Sequence, residues 1–127
     1  MAINFNKDSV FNLTPLDIKK VHRDLPQMLI EGETIEYAFS TVRDQLIFTN
    51  KRIISVDVQG VTGVKKSYGS LPYSKVQFFY VQTPGFMELV SDSELELVFA
   101  NGSIAKFEIK GRTDIKGIAQ LIAAGVL

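Results

Sequence analysis

The chain has 127 residues, a length that fits one domain able to bury roughly two-thirds of the surface exposed by its unfolded form. Fourteen basic side chains balance fourteen acidic ones, and a formal net charge of zero argues against nucleic acid, whose phosphates select partners with a basic excess. Without cysteine, disulfides, thiol nucleophiles and sulfur-ligated zinc are excluded, and a cytoplasmic location is expected.

The amino-terminal stretch MAINFNKDSV lacks the apolar core of a signal peptide. No stretch approaches the roughly 18 apolar residues of a membrane span, so a soluble protein is expected. Thr14-Pro15 combines a capping hydroxyl with proline at a first helical position, and Asp17 follows in the first turn, where the helix dipole favours an anion. With Ile18, Val21 and Leu25 at helical spacing and Pro26 as a breaker, these residues predict an amino-terminal helix over about 14–25.

From Glu33 the hydrophobic period changes to two: Ile35, Tyr37 and Phe39 alternate with Glu36, Ala38 and Ser40. The pattern persists and predicts seven strands, at about 34–42, 45–49, 52–58, 64–71, 75–82, 93–99 and 103–109. Asn101-Gly102 joins two alternating runs and predicts a type I′ hairpin. Its strands turn Leu95, Leu97, Phe99, Ala105, Phe107 and Ile109 inward and leave Glu94, Glu96, Lys106 and Glu108 toward water. The last segment, about 113–124, is helical, with Thr113 as its cap, Ile115, Ile118, Ala119 and Ile122 along one face, and Gly125 at its end. Such a helix is too short to stand alone in water and must dock on the sheet. The order of elements predicts one mainly β domain over residues 1–127, either two packed sheets or a partly open barrel with a helical lid.

The hairpin FTNKRIISVD, with the following QGVTGVKKSYGSLPYSKV, resembles the small bacterial pleckstrin-homology-like domains, in which a similar TNKR turn precedes a QGVTG loop and an SIPY-like strand end. The resemblance runs from about Glu31 through the final helix. It implies seven strands in two nearly orthogonal antiparallel sheets with a carboxy-terminal helix plugging one end, the amino-terminal helix being an addition of stand-alone members. It further implies a ring-forming homo-oligomer rather than an enzyme. Phosphoinositide-binding members of the wider superfamily cluster lysines and arginines around the first hairpin; here that turn, TVRDQ, offers Arg43 beside Asp44.

Two sets of residues are candidates for contacts. Lys51, Arg52, Lys65 and Lys66 are the candidate anion or lipid site, weighed against the simpler reading of Lys51-Arg52 as the polar tip of a hairpin, which turn chemistry favours. VQFFYV, residues 76–81, is apolar on both faces: Val76, Phe78 and Tyr80 alternate with Gln77, Phe79 and Val81, so a helix or another subunit must cover the second face. Tyr73, Phe79, Val81 and Phe86 are the candidate oligomer contacts. A basic stretch over 51–75 and an acidic one over 88–96 suit head-to-tail association. GVTGVKKS lacks the spacing and the strand-to-helix context of a phosphate-binding loop. Glu88, Asp92, Glu94 and Glu96 lack the glycine and ordered spacing of a calcium loop. His22, the single histidine, has no evident nucleophile to serve. No catalytic residue, cofactor or metal is expected, and the expected partner is a second copy of the chain.

Overall fold

The computed structural model describes residues 10–62, 65–84 and 92–127. Among these residues eight strands, β1 (Val10–Pro15), β2 (Ile35–Ser40), β3 (Gln45–Thr49), β4 (Arg52–Gln59), β5 (Lys65–Pro72), β6 (Val76–Gln82), β7 (Ser93–Phe99) and β8 (Ile104–Ile109), precede one α-helix, α1 (Ile115–Val126). They form a single curled sheet in the order β5-β4-β3-β2-β1-β8-β7-β6, rather than two separate sheets. The seven strands expected from period two are all present.

The eighth strand replaces the expected amino-terminal helix. Phe11 and Leu13 alternate inward along β1, which pairs in parallel with β8 through Val10 to Leu13 and then turns to pair antiparallel with the end of β2 through Thr14 and Pro15. It therefore stitches the β2–β5 half to the β6–β8 half. Asp17 does cap a turn, its Oδ1 accepting from the Lys19 N–H at 3.0 Å, but only the 3₁₀ turn Ile18–Lys20 follows. A second 3₁₀ turn, Leu25–Met28, comes after it. Between and around these turns the chain drops Leu16, Val21, Leu25 and Leu29 one after another onto Ala38, Ile47, Ile54 and Val56. Burying this series along the outer face of β2–β4 takes a longer path than a helix rising about 1.5 Å per residue would follow, and tertiary packing wins over local helix signals.

The main core lies inside the curl, where Phe39, Phe48, Ile53, Leu95, Leu97, Phe107 and Ile109 meet Ile115, Ile118 and Ile122 of α1. Phe48 stands edge-on to both Phe39 and Phe107, with ring centroids 5.5 and 6.2 Å away, a favoured aromatic geometry. Asp114, not Thr113, caps α1: its Oδ1 accepts from the Gly117 N–H at 3.0 Å and its Oδ2 from the Tyr37 hydroxyl at 3.0 Å, pinning the helix start to β2. Gly125 lies within the helix rather than ending it. A Cβ there would meet the Tyr73 Cβ at 2.6 Å, so glycine is required for close approach and not for a left-handed cap.

The β7–β8 connection is also not a type I′ turn, because Asn101 keeps a negative φ and only Gly102 is left-handed, at +90°. The Gly102 N–H donates to the Phe99 carbonyl at 2.9 Å and the Phe99 N–H to the Ser103 carbonyl at 2.8 Å. This is a three-residue loop whose last position takes the glycine.

Candidate functional site

The TNKR turn is built from inside outward. Thr49 Oγ1 accepts from the backbone N–H groups of Lys51 and Arg52 at 3.1 and 3.0 Å, and its hydroxyl donates to Glu33 Oε2 at 2.6 Å. Asn50 Oδ1 accepts from the Thr34 N–H and its Nδ2 donates to the Gly32 carbonyl, both at 2.9 Å. Arg52 turns back into the protein: Nε and Nη2 donate to the two Glu33 carboxylate oxygens at 2.9 and 3.0 Å, and Nη2 also reaches the Met28 carbonyl at 2.9 Å. The Glu33 side chain has no exposed surface. Burial pushes its carboxyl up, but hydrogen bonds from Arg52, Thr49 and the Ile30 N–H, with the charge of Arg52, outweigh it and hold the carboxyl down at about 2. Arg52 is a fixed part of the fold and has no guanidinium edge to spare for a ligand; Lys51 alone points into solvent from this turn.

Lys65 and Lys66 sit at the other end of the same hairpin. Arg52 pairs with Pro72 and Gln59 with Lys65, so the two basic pairs are separated by the length of β4, about 23 Å at 3.3 Å per residue. They cannot close on one headgroup. Lys66 shares its end with His22, whose pKa is lowered by burial and by the charge of Lys66, and with the β2–β3 turn, where Arg43 Nη2 donates to the Gly60 carbonyl at 2.7 Å. The His22 N–H is itself tied to Gln45 Oε1 at 3.0 Å.

The residues singled out in the β6 region part company in the structure. Tyr73 is fully buried and its hydroxyl donates to the Thr49 carbonyl at 2.8 Å, so it holds the core and offers no contact surface. A register shift between Val76 and Phe78 changes the phase of β6. Phe79 and Val81 consequently face inward opposite Leu97 and Leu95 and pack on the core, while Phe78 and Tyr80 turn outward, each 53% exposed. A one-residue bulge is invisible to strict alternation and reverses every assignment that follows it. Phe86, Glu88 and Gly63 lie outside the described residues.

The outward residues of this half form rows across the strands. Phe78, Val98 and Ile104 make an apolar row on β6, β7 and β8; Tyr80, Glu96, Lys106 and Val10 make the next, with Glu96 and Lys106 paired at 3.7 Å; Gln82, Glu94, Glu108 and Asn12 make a polar and acidic third. Sequence alternation foresaw Glu94, Glu96, Lys106 and Glu108 on this face. It missed Phe78 and Tyr80 because of the bulge. The acidic run is drawn apart: Asp92 Oδ1 accepts from the Gly111 N–H at 3.0 Å, whereas Glu96 faces Lys106.

A curled, largely antiparallel sheet whose open end receives a carboxy-terminal helix defines a pleckstrin-homology-like domain. The chain belongs to the bacterial PH domain family, whose model matches residues 4–126. It is 37% identical over 115 residues to the uncharacterised protein YjqA of Bacillus subtilis strain 168, covering 89% of this chain and 90% of that protein. A protein with a pleckstrin-homology domain from Shewanella loihica PV-4 has a similar structure, with a TM-score of 0.71 at 35% identity over 92% of this chain and 99% of that one. A pleckstrin homology domain from Shewanella amazonensis SB2B gives 0.59 at 38% identity, over 88% and 90% of the two chains. Among the described residues no helix is long and apolar enough to cross a membrane.

Proposed function

We propose that this chain is a non-catalytic, cytoplasmic interaction module that associates with copies of itself, using the outer face of β6–β8. One observation supports this reading most: segment 16–30 covers the outer face of β2–β4, whereas the equivalent face of the other half presents Phe78, Val98 and Ile104 in one row with Tyr80 beside it. Exposed apolar rows bounded by charge are typical of protein contacts. The acidic row with Glu94 and Glu108 complements the basic end with Arg43, Lys65 and Lys66, which favours a second copy placed head to tail. Head-to-tail contacts close into a ring when the rotation per subunit divides a full turn.

The test is solution mass by light scattering coupled to size-exclusion chromatography. A defined multiple of 14.2 kDa is expected for the wild type, and the single-subunit mass for a Phe78→Ser/Tyr80→Ser variant that melts as the wild type does. A wild-type monomer at tens of micromolar overturns the reading. Phe79→Asp, by contrast, is expected to unfold the domain, because Phe79 packs inward.

A rival reading, peripheral binding to anionic lipid, draws on Lys65 and Lys66 sharing one end of the sheet with Arg43. It predicts sedimentation with phosphatidylglycerol vesicles that is lost at high salt and lost in a Lys65→Gln/Lys66→Gln variant. Lys51 and Arg52 have no share in it, Arg52 being spent on Glu33.

A further inference from the structure

The described sheet ends at β5 on one side and β6 on the other, and the 3₁₀ turn Tyr73–Lys75 joins the two edge strands. Where they splay from this turn, the end of β5 and the β7–β8 loop enclose a cleft of about 460 Å³, within the usual range for small-molecule sites. Its walls are held by backbone bonds: the Ala100 N–H donates to the Lys75 carbonyl at 2.9 Å, and the Phe99 N–H to the Ser103 carbonyl at 2.8 Å. The site is therefore preformed.

Its lining is divided. Leu71, Pro72 and Phe99 give an apolar wall, and Lys75 and Asn101 give a polar one; Ser70 lines the rim, its hydroxyl on the other face of β5 with Arg52 Nη1 at 3.3 Å. The polar groups are biased toward donation. Asn101 Oδ1 is already accepting from the Ser103 N–H at 3.0 Å, which leaves its amide N–H groups as the side chain's remaining donors. Lys75 is the charged residue of the lining, and no carboxylate stands there with it. One cation and an amide beside an apolar wall match a single small anion carried on an apolar body; a doubly charged phosphate would want a second cation.

We infer that this cleft binds a small amphipathic carboxylate, its carboxyl group on Lys75 and Asn101 and its apolar part on Leu71, Pro72 and Phe99. The same chemistry comes from a medium-chain acyl acid or from the free carboxyl end of an apolar peptide. The site is separate from the outer face of β6–β8 and does not depend on the oligomer.

The experiment is amide NMR titration of the full chain with octanoate, its neutral analogue octanamide, and acetyl-Ala-Ala-Leu with either a free or an amidated carboxyl end. Expected are saturable shifts centred on Leu71, Phe99 and Asn101, with the neutral form of each probe binding roughly fivefold more weakly, the scale of one charge-assisted contact. Lys75→Gln should abolish that discrimination, and Lys19→Gln, an exposed cation on the 16–30 segment, should leave it intact. Whichever charged probe binds more tightly identifies the source. Equal affinity for charged and neutral forms, discrimination that survives Lys75→Gln, or no saturable shifts at these amides at millimolar ligand overturns the assignment.

Discussion

Replacing Arg52 with methionine separates a structural arginine from a ligand-binding one. In the native fold its guanidinium makes two hydrogen bonds to the buried Glu33 carboxylate, at 2.9 and 3.0 Å, with further bonds to the Met28 carbonyl and Ser70 Oγ. Against burial, Arg52, Thr49 and Ile30 together bring Glu33 from an ordinary 4.5 to about 2, which at 1.36 kcal/mol per tenfold corresponds to about 3 kcal/mol. Methionine keeps the apolar stem but strands the carboxylate, and breaking one side of a buried pair costs on this same scale, about 3 kcal/mol. With a urea slope of about 1.5 kcal/mol per molar, the unfolding midpoint at pH 7 should fall by roughly 2 M.

The pH dependence has a definite sign. Glu33 is depressed in the folded state, so its stabilisation is complete above 4.5 and is lost as pH falls through about 2. In the variant the carboxyl has lost its main partner and protonates more readily, so the gap between variant and wild type should narrow from pH 7 to pH 3. Urea melts monitored by circular dichroism at both pH values measure this directly. A midpoint shift below about 0.3 M at pH 7, the size of an ordinary surface substitution, would refute the reasoning and return Arg52 to the solvent-facing role the hairpin sequence also allowed.

Two substitutions test other joints of the fold. Tyr73→Phe removes the donor to the Thr49 carbonyl and leaves a buried acceptor unpaired, so thermal unfolding should show a loss of about 1–2 kcal/mol while the solution mass stays that of the wild type. Gly117→Ala improves intrinsic helix propensity by about 1 kcal/mol, yet its Cβ would collide with the Asp114 carboxylate and approach the Tyr37 hydroxyl to 2.5 Å. The variant should be destabilised, by about 1–3 kcal/mol in a denaturant melt, as expected for overpacking; a more stable variant would show that the α1 cap is not anchored to β2 as described.

Sequence alone determined the seven period-two strands, their boundaries to within about two residues, the closing helix and the family resemblance, because each rests on local alternation or on a contiguous motif such as TNKR. It also determined that the β7–β8 pair turns Leu95, Leu97, Phe107 and Ile109 inward, since an uninterrupted alternation leaves one choice of face. Only the tertiary structure decided three things. Thr14-Pro15 ends a strand instead of starting a helix, because Phe11 and Leu13 find places beside β8 and the residues after Pro15 spread over the outer sheet face. Phe78 and Tyr80 face outward in place of Phe79 and Val81, because one extra residue in β6 reverses the phase. Arg52 and Lys51, adjacent in sequence and alike in charge, have opposite roles, because only Arg52 lies within reach of a carboxylate contributed from 19 residues earlier in the chain. Each of these depends on what a residue meets across the fold, and neighbours in sequence carry no record of that.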